Sequence, residues 1–179
     1  MQKQRKKYSR LLRSFLNEKS ERSEKMSKII ISEKSIFTDL EVSNKEEALR
    51  ILADSLLDQG FIHDSFYESL IKREKNFPTG LETYDMGIAI PHTEPQHVKQ
   101  DSIAVAVLDK PILFQDMVDK NNSINVKVIF LLGLSKSTKH LNILKQIFEL
   151  IKEEGSLGEI SSMSKTHLYS YLEEKLTAE

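Results

Sequence analysis

The run NVKVIFLLGLSKSTKHLNILKQIFELIKE, residues 125–153, changes its periodicity half-way along. Residues 125–134 are almost continuously apolar, far short of the roughly 18 apolar residues that a membrane span needs. They read instead as a strand covered on both faces. From Ser137 onward Leu141, Leu144, Ile147, Phe148 and Ile151 recur at helical spacing behind a Ser/Thr pair suited to a helix start. A two-sided strand feeding directly into an amphipathic helix is the signature of a layered α/β domain.

The flanking sequence repeats this alternation. MSKIIISEKSIF (26–37) reads as an opening strand, and SNKEEALRILADSLLDQG (43–60) as a helix. In that helix Ser43 and Glu46 are expected to form a capping box, Leu49, Leu52, Ala53 and Leu56 the apolar face, and Gly60 the stop. HDSFYESLIKREK (63–75) reads as a second helix, capped by Asp64, burying Phe66, Tyr67, Leu70 and Ile71, and ending before the FPTG turn (77–80). Strands are expected at 86–90, 102–108 and 111–114, and a last helix at 164–176. The prediction is one α/β domain.

With 179 residues, 39% hydrophobic and 30% charged, the chain can bury a core of ordinary size. It has no cysteine, which excludes thiolate nucleophiles, disulfides and cysteine-based zinc sites. No signal-peptide pattern is present, so a cytoplasmic protein is expected. The charge is uneven: residues 1–25 hold nine Lys/Arg and three Glu, a net of +6, leaving 17 basic and 24 acidic residues, a net of −7, in the rest. Residues 1–25 are accordingly expected to be an extension, and 26–179 the domain. The extension reads either as a solvated arm or as one that binds polyanions, and a third reading makes Met26 the biological start.

The chemistry centres on GIAIPHTEP (87–95). Pro91 fixes its own φ and holds Ile90 extended, so the His92 imidazole is expected at the carboxyl end of the sheet, the edge where α/β sheets place their sites. His140 falls in the first turn of the helix after residues 125–134, where unpaired N–H groups favour an anion. Arg73 sits near the end of the second helix, one turn before the His92 strand. If the joints at 92 and 140 share one edge, two histidines, a helix start and a guanidinium converge, a set suited to a phosphoryl group. A neutral imidazole can accept phosphoryl without a metal when cationic donors hold the oxygens, the role expected of Arg73 and His140. Thr93 is expected to orient the ring or hold the phosphate, and Glu94 to contribute least, since a carboxylate repels phosphate.

Each residue also has a plainer reading. His92 alone fits a structural strand end, His140 a surface position, and Arg73–Glu74–Lys75 a solvated charge cluster. Gly80 and Gly87 fit turn and packing positions, for there is no Gly-rich phosphate loop. A zinc site from His92, His97 and His140 lacks a recognised ligand spacing.

Taken together, RE (73–74), FPTGLET (77–83), GIAIPHT (87–93) and KHLNILKQIFEL (139–150) resemble, in order and spacing, the mannitol/fructose-type enzyme IIA of the sugar phosphotransferase system. The resemblance spans about residues 27–176. It implies a mixed β-sheet sandwiched between helices, phosphorylation of His92, and phosphate held by Arg73 and His140. It further implies phosphoryl donation by HPr, acceptance by a cysteine of enzyme IIB, no metal or organic cofactor, and no direct sugar binding. The galactitol-like branch fits FPTGL and PHT best, with the fructose-like branch next. The missing cysteine suits an enzyme IIA without a fused IIB, and the net negative body suits a basic partner. Contact with the membrane is expected only through the IIB/IIC complex. A regulatory sensor of the nitrogen-related type and a non-catalytic binding module, the latter acting on nucleic acid through residues 1–25, are the alternatives.

Overall fold

Alternation along the central strands sorts the apolar residues into two cores. The computed structural model describes residues 29–135, 137–152 and 154–177, without the side chains of 137–141; the basic extension (1–25) lies outside the described residues. Five strands, β1 (Ile30–Leu40), β2 (Gly80–Glu82), β3 (Gly87–Ala89), β4 (Ser102–Gln115) and β5 (Ser123–Gly133), form one sheet in the order β1-β4-β5-β3-β2. The sheet is mixed: β1 runs parallel to β4 and β3 to β5, while β4–β5 and β2–β3 are antiparallel.

Helices α1 (Lys45–Leu57) and α2 (Phe66–Asn76) belong to one core, and α3 (Ser137–Ile151), α4 (Ser156–Ser162) and α5 (Lys165–Thr177) to the other. In β5 Val128, Phe130 and Leu132 enter the core containing α3, α4 and α5, whereas Val126, Ile129 and Leu131 enter the core containing α1 and α2. The expected two-sided strand is therefore present, and the sheet lies between two helical layers in one domain. In β4, Ala104 and Ala106 occupy the face toward Leu49, Leu52, Ala53 and Leu56 of α1, and all six are buried. Small strand residues let that helix approach, and each fully buried leucine contributes about 1.5–3 kcal/mol.

Several local expectations need correction. Asn44, not Ser43, caps α1: its side chain accepts from Glu47 N–H at 2.9 Å. Glu47, not Glu46, reaches back to Ser43 N–H at 2.7 Å, so the cap sits one residue further along than expected while the return bond still falls on Ser43. The cap of α2 is Ser65 rather than Asp64, in helical conformation and without a side-chain cap bond. The two strands expected at 102–108 and 111–114 are one, Ser102–Gln115, because Asp109, Lys110 and Pro111 interrupt the apolar pattern while the chain stays extended. Gly80, expected in a turn, opens β2, and both β2 and α4 were invisible to periodicity at three and seven residues. At Gly60 the stop was read correctly, with a left-handed φ of 75°.

Gly87 shows why a strand carries a glycine here. A Cβ at that position would lie 2.3 Å from the Asn125 carbonyl oxygen, so only glycine lets β3 pair at that point with β5. That pairing is what aligns the carboxyl ends of β3 and β5.

Candidate functional site

The parallel pairing of β3 and β5 continues past both strands. Leu132 N–H donates to Pro91 O at 2.9 Å, and His92 makes an isolated parallel bridge with Leu132. His92 therefore leaves β3 at the edge where β5 turns through Leu134 and Ser135 into α3. His140 occupies the first turn of α3 on that edge; its side chain lies outside the described residues. The joint before α3 is clamped by Asp101, whose Oδ1 accepts from both Ser135 N–H and Ser135 Oγ at 2.7 Å.

Two partners fix the His92 tautomer. Nδ1 lies 2.9 Å from Ile90 O, and a carbonyl only accepts, so Nδ1 carries the proton. Nε2 lies 2.8 Å from Arg73 Nη2, and a guanidinium only donates, so Nε2 presents its lone pair. The ring is thus the neutral tautomer with Nε2 as its basic atom, held in place by a backbone group that sequence reasoning did not single out. Arg73 comes from the last turn of α2 and is 29% exposed; its Cζ lies 5.6 Å from the Phe77 ring centroid. Among the described residues its buried Nε has no hydrogen-bond partner, an unmatched donor in a cationic group.

Thr93 is 2% exposed, and its hydroxyl belongs to a triad with Ser69 and Glu94. The Ser69 and Thr93 hydroxyls are 2.5 Å apart, and each lies 2.8 Å from Glu94 Oε2. The other carboxylate oxygen of Glu94, Oε1, is 3.9 Å from Arg73 Nη1. The Thr93 and Ser69 hydroxyls, the Glu94 backbone and the Arg73 charge, in that order, hold the Glu94 carboxyl down at about 2, well below its ordinary 4.5. It is a carboxylate at any physiological pH.

Arg73–Glu74–Lys75 is not a solvated charge cluster. Glu74 is 2% exposed, its carboxylate accepting from Thr79 N–H at 3.0 Å and Thr79 Oγ1 at 2.8 Å. Burial pushes its pKa from 4.5 up to about 7, against the opposing effects of the Thr79 bonds, Lys45 and Arg73. Thr79 O in turn accepts from Ile90 N–H at 3.3 Å, so Glu74 links the Arg73 helix to the segment that orients His92. Glu74 was legible: Phe66, Leu70 and Glu74 form one i, i+4, i+8 stripe, and all three are buried. Ser69 was legible in the same way, four residues before Arg73 on one helix face.

His97 is paired elsewhere, its Nδ1 lying 2.8 Å from Ser65 Oγ. Among the described residues no group of three or more His, Cys, Asp or Glu side chains is placed to hold a metal, and no helix is long and apolar enough to cross a membrane.

An α/β domain with a mixed five-stranded sheet between helices, carrying an arginine-paired neutral imidazole at the end of a parallel strand pair, defines a narrow structural class. The profile of the family described as phosphoenolpyruvate-dependent sugar phosphotransferase system, EIIA 2, matches residues 29–175, and the chain belongs to that family. Its members act as phosphoryl carriers in sugar transport. The chain is 27% identical over 128 residues to the PTS system galactitol-specific EIIA component of Escherichia coli K12, covering 72% of this chain and 85% of that one. Its fold is similar to that of one chain in the complex of enzyme IIAMTL and phosphorylated enzyme IIBMTL from Escherichia coli, with a TM-score of 0.67 and 18% identity, covering 80% of this chain and 97% of that one. The nitrogen regulatory protein IIA-Ntr of Neisseria meningitidis shares the fold at a TM-score of 0.63 and 24% identity, covering 79% of this chain and 94% of that one.

Proposed function

We propose that this chain is a sugar-system enzyme IIA whose His92 Nε2 takes a phosphoryl group from the phosphohistidine of HPr and passes it to a cysteine of an enzyme IIB. The observation that carries the reading is the fixed tautomer: the Nδ1 proton is committed to Ile90 O, leaving the Nε2 lone pair as the nucleophile. In the first half-reaction the donor N–P bond breaks, its electron pair returns to the donor ring, and Nε2 forms the new bond. No proton need leave, because Nδ1 keeps its own.

Arg73 covers Nε2 before transfer and moves onto the phosphoryl oxygens as they arrive, where its unmatched Nε–H finds an acceptor. His140, on the same edge, supports the second cationic contact, and the start of α3 favours the anion. Thr93 serves through the Ser69–Glu94 triad beside Arg73. The domain is assigned to residues 26–179, with the basic extension outside it. A galactitol-type sugar is the preferred assignment, on the similarity to the galactitol-specific component. The sugar itself would be bound by the membrane subunits, and the carrier would work in the cytoplasm.

The two half-reactions test this reading separately. With phosphoenolpyruvate, enzyme I and HPr, the wild type should become phosphorylated and then discharge onto a galactitol-type enzyme IIB. His140→Ala should accept phosphate at a moderately reduced rate and discharge poorly. Full retention of both steps would remove His140 from the site, and discharge onto no enzyme IIB would contradict the transport assignment.

A further inference from the structure

A carrier must hold its phosphoryl group weakly enough to give it away, and the site contains a group whose chemistry opposes holding it at all. Glu94 is half exposed and is a carboxylate at neutral pH. One of its oxygens is anchored by Ser69 and Thr93, and the other is turned to Arg73, whose opposite nitrogen binds His92 Nε2. The guanidinium is thus wedged between the imidazole and a carboxylate. Any phosphoryl group on Nε2 must draw Arg73 away from Glu94 while resting only a guanidinium's width from a fixed negative charge.

We propose that Glu94 is a positioning residue that sets the transfer potential of the site, competing with the phosphoryl group for Arg73 and repelling it through space. The proposal rests on His92 being the phosphoryl acceptor. The Ser69–Thr93 anchor is what makes the effect steady, because a carboxylate free to swing outward would relax away from the incoming charge.

The test is the equilibrium constant for phosphoryl exchange between phospho-HPr and the full chain, measured by acid-labile phosphate partition for wild type, Glu94→Gln and Glu94→Asp. Removing one negative charge beside the phosphoryl group, whose dianion is partly offset by the imidazolium charge that the retained Nδ1 proton leaves on the ring, is expected to shift the Glu94→Gln partition toward the phosphorylated chain by roughly twofold to tenfold. The shift should shrink as salt is raised. Glu94→Asp keeps the charge but loosens the hydroxyl anchor, and should shift the partition much less. An unchanged Glu94→Gln partition, or an equal shift in both variants, would overturn the proposal, the second outcome assigning the effect to the hydroxyl triad. A wild type that accepts no phosphate while HPr is phosphorylated in the same tube would instead overturn the functional reading, and the proposal with it.

Discussion

Among the described residues the His92 Nδ1 proton faces Ile90 O and the Nε2 lone pair faces Arg73 Nη2, and that division of roles makes substitution at Arg73 informative. Arg73→Lys keeps the charge, yet an ammonium cannot both cap Nε2 and reach toward Glu94 as a planar fork does. Phosphoryl acceptance should fall on the order of a hundredfold in a rapid-quench assay, and wild-type rates would reduce Arg73 to surface charge. Glu74 makes a prediction about stability. Its carboxyl is raised from 4.5 to about 7, so between those pH values the folded state binds more protons than the unfolded one. Its contribution is therefore fully present below pH 4.5 and is lost as pH rises through about 7, an effect on the order of 3 kcal/mol. Urea unfolding of Glu74→Gln should show a flatter pH dependence than wild type between pH 5 and 7.5; parallel curves would mean that Glu74 does not titrate in this window.

At the scale of elements, the site depends on the short β3 pairing with the long β5, which brings His92 and the start of α3 to one edge. Gly87→Ala tests this directly, because the added methyl would meet Asn125 O at 2.3 Å and force β3 away from β5. The expected cost is about 1–3 kcal/mol by thermal or urea unfolding. The histidine would shift with the strand, so transfer should slow more than the stability loss explains; wild-type stability would show that the strands part without cost. This scale also marks where sequence reading succeeded and failed. The long helices and β5 were legible because their apolar residues repeat over several turns or fill a whole strand. The cap at Asn44 was placed one residue early because Ser43, Asn44, Glu46 and Glu47 offer two adjacent registers, and only the backbone chooses between them. Pro111 and its charged neighbours hid the continuity of β4.

Over the whole molecule, the sheet order explains how residues 19 and 48 positions from His92 come to the same edge as that histidine. Arg73 arrives from one helical layer and the start of α3 from the other, and β3 and β5 end side by side between them. His92 and Arg73 stand out in sequence because a strand-end histidine and a helix-end arginine are local patterns, and folding pairs them at 2.8 Å. Glu94 does not stand out, since repulsion between a carboxylate and phosphate is visible in sequence while the Ser69–Thr93 anchor that puts it beside Arg73 exists only after folding. Glu74 reads in sequence as solvent-facing charge because the REK run dominates the local composition, although its place on the Phe66–Leu70 stripe is readable.

The most direct measurement is heteronuclear NMR of the imidazole, with intact mass and site mapping at alkaline pH, before and after incubation with phosphoenolpyruvate, enzyme I and HPr. The account predicts a neutral His92 with its proton on Nδ1, then a single phosphoryl group bonded to Nε2 of that residue and none in His92→Ala. A proton on Nε2, phosphate on Nδ1, or a modification at any other residue would contradict it.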